Sequence, residues 1–104
     1  MKLTEISPEV LKEVKDNLYI SWDDNDSQVE KIIFRSARYL QSKVTQELVF
    51  DPESFEYLLL LERCRYDWNN ALDEFEKNYA TEILAFIQSY ALKDWRDKNA
   101  EQTS

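Results

Sequence analysis

The stretch DDND at positions 23–26 holds the first residues that could do chemistry in this sequence. Carboxylates at alternating positions can bind Ca²⁺, but a calcium loop also needs a central glycine and a glutamate at its twelfth position. A loop that begins at either of the first two aspartates has Phe34 or Arg35 there. We therefore expect no metal site, and we interpret the stretch as a turn in which Asp24 or Asp26 caps the following helix.

Catalysis has little support elsewhere in the chain. The sequence has no histidine, the commonest general base, and no glycine, which rules out glycine-rich phosphate loops and the nucleophile elbow. The single cysteine, Cys64, falls on the core side of a predicted helix, with no histidine to activate it. Carboxylates such as Glu62, Asp67, Asp73 and Glu74 could pair, but neighbouring carboxylates are expected on any acidic helix. We predict no enzyme activity, no catalytic residue and no cofactor.

Composition and charge favour proteins as partners. The formal net charge is −8, whereas nonspecific DNA binding requires an excess of lysine and arginine. The sequence has no apolar run of about 20 residues that could span a membrane, and its N-terminus has no apolar signal-peptide segment. We expect a protein made in the cytoplasm, where one unpaired cysteine stays reduced.

The spacing of apolar residues predicts an all-α fold, a small bundle of about four helices with projecting loops. The first helix should begin with Ser7 as its N-cap and Pro8 at its first position, and should end near Leu18. The second is predicted over 27–44 and the last over 79–95, each with apolar residues three and four apart.

One long helix is predicted between these, over about 52–77. Asp51 would be its N-cap and Pro52 its first residue. We divide the chain into a single helical domain, 1–92, and a polar, mobile C-terminal tail, 93–104.

Apolar residues in the connecting segments are expected to reach the core. Ile20 and Trp22 should plug it from the first connector, and the triplet 48–50 forms either a short extended piece or another plug. Phe55, Leu58 and Leu59 widen the apolar surface at the start of the long helix, so that end should be enclosed on most sides.

A basic stripe on the second helix could contact a partner. Lys31, Arg35 and Arg38 could bind phosphates or form a solvated face, but in an acidic chain we favour pairing with acidic residues of another subunit. Trp95 lies in a polar segment, where it either folds back onto the first or second helix or anchors the tail to a partner.

The stretch RYDWNNALDEF, at 65–75, places aromatic and polar residues in the middle of the predicted long helix. Asparagine and aspartate are poor residues for a helix interior. An Arg63–Asp67 pair could support a solvated face, but tyrosine, arginine and asparagine together are also typical of protein interfaces. The candidate interface residues are Lys31, Arg35, Arg38, Arg65, Tyr66, Asn69, Asn70, Asp73 and Trp95.

Two parts of the chain carry motifs in a recognisable order. Those in 11–44 are Leu18-Tyr19-Ile20, the acidic turn, Ile32-Ile33 and Ala37 followed by Leu40; 59–87 contains the Arg-Tyr-Asp-Trp-Asn-Asn-Ala run. Over about residues 9–92, this order resembles the head–tail connector (adaptor) proteins of long-tailed bacteriophages and related prophages. Many members end the second helix with Thr-Gly, whereas this chain has Val44-Thr45-Gln46.

The resemblance implies an all-helical structural protein of the virion, located at the head–tail junction. Such subunits form a closed ring, of about twelve copies under the cyclic symmetry expected of such assemblies. The ring docks beneath the portal protein, extends the DNA channel without specific DNA binding, and seats the downstream stopper or tail-completion protein. The alternative is a small acidic helical module that binds or regulates another protein in the cytoplasm.

Overall fold

The computed structural model describes residues 7–103, with side chains for 7–98. Its helices are Pro8–Asn17 (α1), Asp26–Gln41 (α2), Phe55–Trp68 (α3), Leu72–Asn78 (α4) and Ala80–Thr103 (α5). No strand occurs between residues 7 and 103, so the all-α prediction is confirmed. Over the same residues, none of the helices combines the length and apolar character that crossing a bilayer requires.

The first helix starts as the sequence predicts. The Ser7 hydroxyl accepts a hydrogen bond from the backbone N–H of Val10 at 3.2 Å, and Pro8 is the first helical residue. Proline suits this position because its missing N–H would have no partner within the helix.

The end of α1 is a Schellman motif that contains no glycine. The backbone N–H of Ile20 donates to the carbonyl of Lys15 at 2.9 Å, and that of Tyr19 donates to Asp16 at 3.1 Å. Tyr19 therefore occupies the left-handed position, with φ of 60°. This conformation costs an L-residue about 1–2 kcal/mol, which is why glycine is usual there.

The acidic turn is held by a lysine from α1. The Lys15 ammonium lies 2.8 Å from a carboxylate oxygen of Asp23 and 2.7 Å from one of Asp26. The N-cap residue of α2 is Asn25 rather than either aspartate, and its side-chain oxygen accepts a hydrogen bond from the Trp22 indole N–H at 2.8 Å. The predicted aspartate cap is wrong because Asp26 is already helical and its carboxylate pairs with Lys15.

The third helix begins three residues later than predicted. Its N-cap is Ser54, whose hydroxyl accepts from the backbone N–H of Tyr57 at 3.2 Å and donates to the carbonyl of Asp51 at 2.6 Å. Asp51 and Pro52 thus form a turn before the helix, because Ser54 takes the capping role.

The long helix predicted over 52–77 is wrong, because the chain breaks after Trp68. The backbone N–H of Ala71 donates to the carbonyl of Tyr66 at 2.8 Å, and that of Asn70 donates to Asp67 at 3.1 Å, a second Schellman motif. Asn70 has φ of 56°, and asparagine tolerates this left-handed conformation better than most residues. The adjacent asparagines therefore end one helix and allow α4 to start in a new direction.

An aromatic cluster explains why the break is favourable. In a continuous helix, Tyr66 and Tyr79 would lie about 20 Å apart along the axis. Their ring centroids are instead 5.9 Å apart, and Phe75 lies 5.7 Å from Tyr66 and 5.0 Å from Tyr79. Phe75 is fully buried, so folding α4 back removes a large apolar side chain from water.

The core forms around α3, which contacts every other helix among the described residues. The plug interpretation of 48–50 is confirmed for Leu48 and Phe50, which are both 2 % exposed. The Gln41 side chain fixes this segment by donating to the carbonyl of Gln46 at 2.7 Å and accepting from the N–H of Leu48 at 2.9 Å. Ile20 is buried as predicted, but Trp22 is 48 % exposed, so its predicted role as a plug is wrong.

The last helix is longer than predicted and continues to Thr103, so residues 93–103 of the segment expected to be a tail are helical, and Ser104 lies outside the described residues. Its inner face contains Ile83 and Phe86, which are buried, whereas Leu84 is 53 % exposed despite its apolar side chain. Among the described helices, α5 contacts only α3 and α4. The segment after α2 also reaches it, where the Gln46 side-chain amide donates to the carbonyl of Tyr90 at 3.4 Å.

Candidate interaction surfaces

Glu62 and Asp67, two of the carboxylates first considered for catalysis, have structural partners. Cys64 is fully buried, and burial raises the pKa of its thiol to about 12, so it is held as the unreactive thiol. The Glu62 carboxylate accepts hydrogen bonds from Arg65 at 2.6 Å and from the Tyr79 hydroxyl at 2.8 Å. Asp73 is exposed at the start of α4. These contacts fasten α3 to the segment that follows the break.

The basic stripe of α2 is divided between an internal ion pair and free surface. The Arg35 guanidinium makes a two-pronged contact with the Asp67 carboxylate, with N···O distances of 3.1 to 3.3 Å. Asp67 therefore does not pair with Arg63, as the helical spacing had suggested. Lys31 and Arg38 are exposed, and neither forms an ion pair within the described part of the chain. Only these two cations of the stripe remain available to a partner.

Arg63 packs into the α2–α3 interface. Its guanidinium carbon lies 4.2 Å from the centroid of the Tyr39 ring, and one terminal nitrogen donates to the Ser36 hydroxyl at 3.2 Å. The cation–π contact and this hydrogen bond stabilise a half-buried arginine.

The break surface consists of Arg65, Tyr66, Asn69, Asn70 and Asp73. Tyr66 is half-buried in the aromatic cluster, and its hydroxyl accepts a hydrogen bond from the Asn78 amide at 3.0 Å. The Asn69 amide donates to the carbonyl of Arg65 at 2.8 Å, which closes the end of α3. The four polar members are exposed. The structure thus brings together five of the nine predicted interface residues around a rigid tyrosine.

The α5 stripe is formed by Leu84, Ala91 and Trp95, all exposed and spaced seven and four residues apart. This spacing places them on one side of a helix. Trp95 is 62 % exposed and does not fold back onto α1 or α2, which α5 does not contact among the described residues. The stripe is therefore free to meet a partner.

The α3–α5 groove lies beside this stripe, between the start of α3 and the middle of α5. It is lined by Phe55, Phe86 and Leu92, with Lys93 and Arg96 at its rim, and has a volume of about 620 Å³. Phe55 is 40 % exposed and nearby Leu58 is 52 % exposed, so the predicted enclosure of this end of α3 is wrong for these two side chains, whereas Leu59 is fully buried. Helix α5 passes alongside α3 without covering these side chains.

The connector knob, Tyr19 and Trp22, is a feature that sequence reasoning missed. Tyr19 is 89 % exposed and Trp22 is 48 % exposed. Trp22 was interpreted as a core plug from its apolar character, and Tyr19 was considered only as part of the Leu18-Tyr19-Ile20 motif. For Tyr19, the sequence signal was its position directly after a helix end, where a left-handed residue turns its side chain away from the core.

Comparisons with protein-family models, curated proteins and solved structures gave no match to this chain. The fold and the motifs are therefore the basis for inferring a function.

Proposed function

We propose that this protein is a structural subunit of a bacteriophage head–tail connector, which forms a closed ring, docks beneath the portal and seats the next connector or tail protein. The motif order over 9–92 supports this family. The acidic composition, with a net charge of −8, suits a channel through which DNA passes without binding.

The α5 stripe is the observation that carries the proposal. From Ala91 to Lys98 every side chain but that of Asp94 is exposed, and Leu84 and Trp95 add large apolar surface on the same side. At 24 residues, α5 is about 36 Å long, more than its contacts with α3 and α4 require. Exposed tryptophan and leucine on a rigid helix suit a protein contact, and we assign this stripe to portal docking.

Quantitative mass spectrometry of purified particles tests the proposal. We expect about twelve copies per particle alongside the portal protein, as a closed ring at one vertex requires. If the chain is absent from finished particles and remains in the lysate in a one-to-one complex with another protein, the connector proposal is overturned. The result would favour the alternative, a cytoplasmic binding module.

A matched pair of variants tests the docking surface. Leu84→Ala combined with Trp95→Ala should leave the helical circular dichroism spectrum unchanged but remove the chain from particles. Leu58→Ala, which truncates a comparably exposed leucine on α3, should be incorporated normally. Equal incorporation of both variants would exclude the α5 stripe as the portal contact.

A further inference from the structure

Tyr19 combines unusual exposure with an unfavourable backbone conformation. It is the most exposed of the large apolar side chains described, at 89 %, and it adopts a left-handed φ of 60°. An aromatic residue gains nothing for the fold at such a position, where glycine or asparagine would fit without strain. The side chain is therefore better explained by a contact outside the subunit.

Trp22 completes the knob in a fixed orientation. Its indole N–H donates to Asn25, whose amide in turn donates to Gln28 on the first turn of α2, at 2.8 and 3.1 Å. A partner would meet an ordered aromatic surface, with little side-chain entropy to lose on binding.

The surroundings of the knob are negatively charged. Residues 16–26 contain four aspartates and no lysine or arginine. Lys15 pairs with Asp23 and Asp26, whereas Asp16 and Asp24 are exposed and form no ion pair among the described residues. Two carboxylates thus flank the knob without a partner in the subunit.

The α3–α5 groove has the complementary character. Its apolar floor, with Phe55 and Leu92, is partly exposed, and its volume lies within the range of binding pockets. Lys93 and Arg96 at the rim form no ion pair within the described residues. The nearby Asp94 carboxylate pairs with Lys98 instead. The one carboxylate of the lining, Glu56, is buried and accepts a hydrogen bond from the Tyr90 hydroxyl.

The knob and the groove are formed by different elements of the subunit. The knob follows α1, which contacts α2 and α3, whereas α5 contacts α3 and α4 and neither of the first two helices among those described. A knob that binds the groove of another copy leaves its own groove free for a third copy. Such a contact is heterologous, and it can close into a ring.

We infer that Tyr19 and Trp22 of one subunit bind the α3–α5 groove of the next copy, with Asp16 and Asp24 facing Lys93 and Arg96. This inference rests on the proposed ring and names the surfaces that build it. The contact buries the aromatic side chains against Phe55 and Leu92, and the charges select the orientation.

Mixing two defective variants tests the inference. The knob variant carries Tyr19→Gly and Trp22→Ala, and the groove variant carries Lys93→Glu and Arg96→Glu. Native mass spectrometry should find each alone as a monomer, while an equimolar mixture should give dimers only, since one intact knob and one intact groove remain per pair. The control, Lys77→Glu, reverses an exposed charge on α4 and should assemble like the parent chain.

Charge reversal adds a rescue. Asp16→Lys with Asp24→Lys should abolish assembly, and adding Lys93→Glu and Arg96→Glu to the same chain should restore it. Circular dichroism checks that each variant is folded.

The outcomes separate this inference from the proposed function. If the knob variant still forms closed rings, the inference is overturned while the ring stands. If the parent chain assembles through knob and groove into open chains of varying length, the inference holds and the closed ring is refuted. If the purified parent chain stays monomeric, the inference is overturned. The connector proposal is then tested only by the copy number of the chain in purified particles.

Discussion

Replacing Tyr19 with glycine should make the isolated subunit more stable, although the change removes a large side chain. The left-handed conformation, with φ of 60°, costs an L-residue about 1–2 kcal/mol, and glycine avoids that cost. Greater freedom of the unfolded glycine chain offsets about 0.4–1 kcal/mol of the gain. Little burial is lost, because the side chain is 89 % exposed.

The expected net stabilisation is about 0.5–1 kcal/mol, or a rise in Tm of a few degrees for a domain of this size. Urea unfolding followed by circular dichroism measures it. Tyr19→Ala is the matched control, because alanine also loses the ring but keeps the backbone strain. The reasoning is refuted if the alanine variant is as stable as the glycine variant.

Three further changes test the structure. Asn70→Ala should destabilise the fold by about 1 kcal/mol, because alanine is strained in the left-handed position, whereas Asn70→Gly should not. If the two variants are equally stable in denaturant unfolding, the helix break does not depend on the conformation of this residue. Asp67→Asn should cost about 1–2 kcal/mol through weaker hydrogen bonds to Arg35, and much less in an Arg35→Met background. Additive effects of the two substitutions would show that the Arg35–Asp67 ion pair does not stabilise the fold. Alkaline pH should unfold the protein: burial, with a hydrogen bond to a carboxylate, raises the pKa of Tyr39 and Tyr90 from 10.0 to about 12. The folded chain keeps these protons, so their contribution to stability is present below pH 10 and lost towards pH 12. Phenolate absorbance recorded with circular dichroism checks this, and titration of all six tyrosines near pH 10 in a fully folded chain would refute it.

Helix-cap preferences and apolar spacing predicted the helices well where the sequence offers a single candidate cap or a single apolar stripe. Ser7 and Pro8 define the start of α1 as expected, and the apolar spacing of α2 selects Val29, Ile33 and Leu40, which are fully buried. The rules failed at the start of α3, where two cap signals lie close together and the serine is used. Local propensity alone does not decide between adjacent caps.

The candidate site was predictable only in part. The break surface was found as a mixture of residue types in one stretch, because that mixture is local. The knob and the groove were not, since exposure of Tyr19 depends on a single backbone angle, and exposure of Phe55 depends on where α5 passes.

By itself, the sequence determined the helical class, the core stripe of α2 and the absence of glycine, which leaves any left-handed position to other residues. Among the described residues, tertiary structure assigned this conformation to Tyr19, Phe50 and Asn70. It also decided that Asp67 pairs with Arg35, 32 positions away, rather than with Arg63 one turn away. Periodicity and capping are read over a few residues. The partner of a charge, the direction after a break and the covering of an apolar face depend on helices that are distant in sequence, and only packing brings those helices together.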